Sequence, residues 1–70
     1  MKLDFAKVES AMARIGVNQY DIAKRLDVYP SSISRLMARV RDGQDISPKN
    51  VNRIARALKV SIDDLLERAA

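Results

Sequence analysis

The sequence predicts an all-α domain, a compact arrangement of five short helices, and three observations carry that prediction. Apolar residues recur at three- and four-residue spacing through most of the chain, and no segment alternates in the manner of a half-buried strand. Asp, Asn, Ser and Pro stand where helices would start and Gly where they would stop, so the punctuation divides the chain into helical stretches. Finally, 70 residues accommodate one domain, spanning 1–70, with a small core. With no cysteine, that core has neither a disulfide framework nor a thiolate zinc site to support it.

Helix one starts near Asp4, whose carboxylate can accept from free amides of the first turn, and runs to Ile15 with Phe5, Val8, Met12 and Ile15 on one face. Gly16 ends it and Val17 supplies an apolar contact back onto the last turn. Asn18 caps helix two, Gln19 to Leu26, in an approximate capping box with Asp21. Asp27 occupies a turn that requires a positive backbone torsion, which aspartate tolerates better than most residues. Pro30 fits the first position of helix three, where its missing amide hydrogen would be unbonded anyway. Tyr29 before it is a poor N-cap, and is expected to serve through what its ring touches.

Helix three is expected from Pro30 to about Arg39, burying Ile33, Leu36 and Met37, and gives way by Gly43 to a loop. Ser47 and Pro48 then open helix four, which carries Val51, Ile54, Ala55 and Leu58 as its apolar stripe and ends near Lys59. Ser61 with Asp64 forms another capping box, opening a last helix that buries Ile62 and Leu65, with Leu66 as a further candidate. Val40, Ile46 and Leu66 have no evident place in this core; they mark either a contact surface or the packing of the loop.

The net charge of +4 is unevenly spread. From Pro30 to Val60 the basic residues Arg35, Arg39, Arg41, Lys49, Arg53, Arg56 and Lys59 face only Asp42 and Asp45, while the rest of the chain is slightly acidic. A polyanion-binding footprint has this form, and so do solvated helix faces. Arg53 and Arg56 read as ordinary solvated charges. Apolar runs are only a few residues long and the first fifteen residues are too charged for a signal peptide, so a soluble, cytoplasmic protein without membrane association is expected.

The stretch from Asn18 to Met37 sets two short helix patterns on either side of a tight turn, the layout of a DNA-reading helix-turn-helix. Ile22, Leu26, Val28, Ile33 and Leu36 are its buried positions, and small Ala23 permits close backbone approach. Between them Tyr29, Ser31, Ser32, Ser34 and Arg35 leave a polar and basic face of the kind that can meet base edges.

The chain resembles the lambda repressor-like and Cro-type helix-turn-helix regulators over Gly16 to Leu66. Three pieces carry the likeness: Gly16-Val17-Asn18-Gln19 leading into Ile22-Ala23-Lys24-Arg25-Leu26, then Val28-Tyr29-Pro30-Ser31-Ser32-Ile33-Ser34-Arg35, and finally Ile54 to Leu66. The resemblance implies that Gln19 hydrogen-bonds a phosphate with Asn18 close by, and that Tyr29, Pro30, Ser31, Ser34 and Arg35 face the major groove of double-stranded DNA. Arg35 would bind a guanine through two hydrogen bonds, worth roughly 1–3 kcal/mol of discrimination. Ser32 joins the phosphate contacts, as do Arg39 and Arg41 through their charge beside the reading helix, and Lys49 and Asn50 at the start of helix four. The chain departs from the family pattern at Asp27, where glycine is usual, and at Met37 and Arg39, where a glutamate and a glycine are usual; the passage from Arg39 to Ser47 is also longer.

The expected function is that of a sequence-specific transcription regulator, a repressor before an activator, binding a two-fold symmetric operator as a homodimer. Two reading helices would enter major grooves ~34 Å apart, since one small module covers about one half-site. The alternative is an antitoxin or adaptor that acts mainly through a protein partner. An enzyme is not expected: without His or Cys, and with carboxylates committed to helix caps, no constellation for acid/base, nucleophilic or metal chemistry is available. Asp63, Asp64 and Glu67 read as a cap and a solvated face rather than a metal site, so no cofactor, metal or small-molecule ligand is expected.

Overall fold

Capping chemistry explains most of the helix boundaries in the computed structural model, which describes residues 1–67. Helix α1 spans Phe5–Ile15, α2 Gln19–Leu26, α3 Pro30–Arg41 and α4 Pro48–Leu58. The Asp4 carboxylate accepts from the amides of Ala6 at 3.0 Å and Lys7 at 3.4 Å. Asn18 and Asp21 form the reciprocal box, with 2.9 Å and 3.0 Å bonds, and the Ser47 hydroxyl accepts from the Asn50 amide at 3.3 Å. At the other ends Gly16, Asp27, Gly43 and Lys59 adopt positive φ, of 68°, 55°, 73° and 58°. The following amide then reaches back across the last turn each time, as in Val17 to the Met12 carbonyl and Val28 to the Ala23 carbonyl, both 3.0 Å.

One apolar core ties the helices together. Val8 and Ala11 of α1, Ile22 and Ala23 of α2, Ile33, Met37 and Val40 of α3, and Val51, Ile54, Ala55, Ala57 and Leu58 of α4 are all buried in it, with Leu65 beyond α4. Fully burying a side chain of Val, Leu or Ile size is worth roughly 1.5–3 kcal/mol, so this cluster carries most of the stabilisation available to a chain of this size. Ile15 departs from expectation at 38 % exposure. It lies on the Val8 stripe but in the last turn before Gly16, beyond the reach of the core.

Helix α3 runs to Arg41 rather than to about Arg39. Its continuation places Val40 in the core at 2 % exposure, and the stop comes only at Gly43, whose amide bonds the Val40 carbonyl at 3.0 Å. Ile46 is likewise buried, at 1 %. Val40 and Ile46 therefore pack the interior beneath the α3–α4 loop and do not form a contact surface, while Leu66 is half-buried against the same core.

The expected fifth helix is a single 3₁₀ turn, Ile62–Asp64, although Asp64 does accept from the Ser61 amide at 3.2 Å. Pairing with the N-terminus takes the chain out of the helix. The Asp4 amide bonds the Leu65 carbonyl at 2.8 Å, the Glu67 amide bonds the Lys2 carbonyl at 3.0 Å, and Leu3 and Leu66 form an antiparallel bridge. Lys7 Nζ adds a bond to the Leu66 carbonyl at 3.0 Å. One residue earlier in the N-terminal segment, Met1 exchanges two backbone bonds with Ile46, of 2.7 Å and 3.0 Å, and its ammonium lies 3.7 Å from Asp45. The first four residues thus lace the α3–α4 loop to the C-terminal segment, and Leu3 between them is 3 % exposed. Among the described residues no helix is long and apolar enough to cross a membrane.

Candidate nucleic-acid interface

The α2–α3 pair is held rigidly from its turn outward. Asp27 takes the left-handed conformation at φ 55°, ψ 49°, as its place in the sequence predicts, and its amide bonds the Lys24 carbonyl at 3.2 Å. Val28 packs half-buried against the core, Tyr29 continues in extended conformation, and Pro30 starts α3. The Tyr29 carbonyl accepts from the Ser32 amide at 2.9 Å, but its side chain makes no capping bond and is 80 % exposed. The ring is therefore available to a ligand at no cost to the helix.

With Ile33 and Met37 buried and Leu36 half-buried, the backbone of α3 is fixed and Pro30, Ser31, Ser34 and Arg35 remain exposed along its outer side. Gln19, exposed at the start of α2, is joined to this face: the Ser34 hydroxyl donates to Gln19 Oε1 at 3.1 Å. The bond uses the amide's acceptor and leaves its two N–H donors free for an acceptor such as a phosphate oxygen. Asn18 spends its side chain and its amide on the box with Asp21, so the Gln19 and Tyr20 amides are the helix-end donors left without an intrahelical partner.

The other expected phosphate contacts divide into two groups. Ser32 and Arg39 from α3 meet Asn50 from α4, beside the base-reading candidate Arg35, along a groove of about 180 Å³ lined also by Leu26, Ile33 and Leu36. Arg53 completes its wall. The charge pattern alone makes Arg53 an ordinary solvated charge; its position one turn after Asn50, on the same side of α4, is the signal that ties it to the groove. Arg41 and Lys49 lie outside this groove, both exposed, and Arg41 sits 3.9 Å from Asp42. Arg39 has a structural duty as well: Nε donates to Gln44 Oε1 at 3.4 Å and Nη2 to the Asp45 carbonyl at 3.3 Å, which holds the α3–α4 loop against the helix. Met37, at a position where the family usually has glutamate, is 3 % exposed, beside Phe5, Met12 and Val17. An apolar contact occupies that place.

The whole arrangement is a rigid two-helix unit that presents hydroxyl, amide, phenol and guanidinium groups, predominantly hydrogen-bond donors, on one exposed surface. Comparison with known proteins agrees with it. The helix-turn-helix family model matches residues 8–65, from α1 to the last core leucine. No curated protein and no solved structure matches the chain. With the match covering more than half of the chain and both helices of the reading unit, the protein belongs to the lambda repressor-like, Cro-type helix-turn-helix family of DNA-binding proteins.

Proposed function

We propose that the protein is a transcriptional repressor that binds a two-fold symmetric operator as a homodimer, each copy reading one half-site through the major groove. The observation that carries this reading is the exposed Tyr29–Arg35 face on a backbone fixed by Ile33, Leu36 and Met37. Arg35 reads a guanine edge through two N–H donors. Ser31 and Ser34 make adaptable hydrogen bonds, Pro30 gives van der Waals contact, and the Tyr29 ring lies against a thymine methyl or places its hydroxyl on a phosphate. Gln19 and the free amides at the start of α2 anchor a backbone phosphate, with the helix dipole in their favour. The action is binding rather than catalysis.

In vitro selection of duplex DNA tests the reading. It should recover a symmetric site whose half-sites are separated by about one helical turn, ~34 Å. Recovery of no enriched sequence, or of an asymmetric site saturated by one copy, would contradict it.

A further inference from the structure

The groove between α3 and α4 is lined by three arginines, Arg35, Arg39 and Arg53, with Ser32 and Asn50, and no carboxylate residue lines it. The ion pairs among the described residues are Met1–Asp45 and Arg41–Asp42, so neither Arg35 nor Arg53 is neutralised within the fold. Like charges held around one depression repel each other, and an anion placed between them offsets that repulsion with attraction to each. Arg39 is pre-positioned by Gln44 and the Asp45 carbonyl, and still has N–H donors to spare. With Arg35 turned to a base edge, Arg39, Arg53, Ser32 and Asn50 are the donor-bearing residues left beside the apolar Leu26, Ile33 and Leu36, and about 180 Å³ admits one phosphate group.

We infer that this groove seats a phosphate of the DNA backbone beside the half-site, with Arg53 as a phosphate-binding residue on α4. The inference rests on the DNA-binding reading, and it commits to the backbone rather than to a free anion for a positional reason. Ser32 and Arg35, which line the groove, belong to the same turns of α3 as Ser31 and Ser34 on the reading face. A duplex engaged by that face runs past the groove's mouth. Arg53 then acts without sequence preference, and its loss weakens all DNA alike.

The experiment is a salt series of anisotropy titrations with a selected duplex and a random duplex, using the wild type, Arg53→Gln and Arg56→Gln. Arg56 is on the same helix but outside this groove. The slope of log K against log[salt] should fall in magnitude by about 0.9 in Arg53→Gln on both duplexes and stay unchanged in Arg56→Gln. Thermal melts of both variants should show no loss of stability against the wild type, because neither side chain is hydrogen-bonded within the described residues and Arg53→Gln removes a like-charge repulsion. A wild-type slope in Arg53→Gln would overturn the inference. So would a wild-type melting temperature raised by inorganic phosphate over chloride at equal ionic strength while the DNA slope is unaffected by Arg53→Gln, since the groove would then take free anions only. Failure of the wild type to bind either duplex would instead refute the DNA-binding reading on which the inference stands.

Discussion

Asp27 places an L-residue in the left-handed region, which costs roughly 1–2 kcal/mol, and sets a negative charge at the C-terminal end of α2, where the helix dipole disfavours it. Asp27→Gly should therefore stabilise the protein by about 1 kcal/mol, the gain being reduced by the greater freedom of glycine in the unfolded chain, and raise the melting temperature by ~4–8 °C. Calorimetry checks this; an unchanged or lowered midpoint would show that the Asp27 side chain contributes a contact of its own. The torsion was legible in the sequence because it depends only on local spacing between two helix patterns. The working arrangement of Arg39 was not, since its bonds to Gln44 and Asp45 depend on the path of the loop. At the reading face, Arg35→Ala should lower the preference for the best base over the others by about 1–3 kcal/mol, roughly 5- to 150-fold. Gln19→Ala should weaken all duplexes by one common factor. Competition titrations with single-base variants of the site separate the two outcomes, and equal losses on every duplex for Arg35→Ala would remove it from base reading.

Helices α1 to α4 were legible because each is marked locally, by an apolar stripe and a cap that the sequence displays. The segment after Ser61 was misread for the complementary reason. Ser61, Asp64 and the apolar residues around them carry a helix-start pattern, but Leu65, Leu66 and Glu67 are claimed by backbone pairing with Lys2, Leu3 and Asp4, more than fifty residues away in sequence. Tertiary pairing of this kind overrides local propensity. The same non-local lacing buries Leu3 and Ile46, which no periodicity connects to the helices. Leu3→Ala should cost about 2–5 kcal/mol, as for large-to-small changes in a well-packed core. Urea unfolding followed by circular dichroism measures it, and a loss below about 0.5 kcal/mol would mean that the terminal lacing contributes nothing to stability.

At the level of the entire protein, fold and function meet in the distribution of charge. A net charge of +4 is modest, but the basic residues of Pro30 to Val60 place Arg35, Arg39 and Arg53 around one groove next to the exposed face of α3. The exposure of Tyr29, Pro30, Ser31, Ser34 and Arg35 was legible as a set of residue types at helical spacing. The groove was not, because it is formed by the approach of α4 to α3 and takes Arg53 from a helix on which the sequence marks only Lys49 and Asn50 as DNA contacts. Affinity from such an arrangement is strongly salt-dependent, and specificity comes from the few side chains that meet base edges. The most direct test of the central claim is an anisotropy titration of the wild-type protein against its selected duplex and a random duplex of equal length across a salt series. The account predicts parallel salt slopes with the selected site bound at least ~10³-fold more tightly at physiological salt, the lower range for specific over non-specific DNA binding. Equal affinity for the two duplexes at every salt concentration would contradict it.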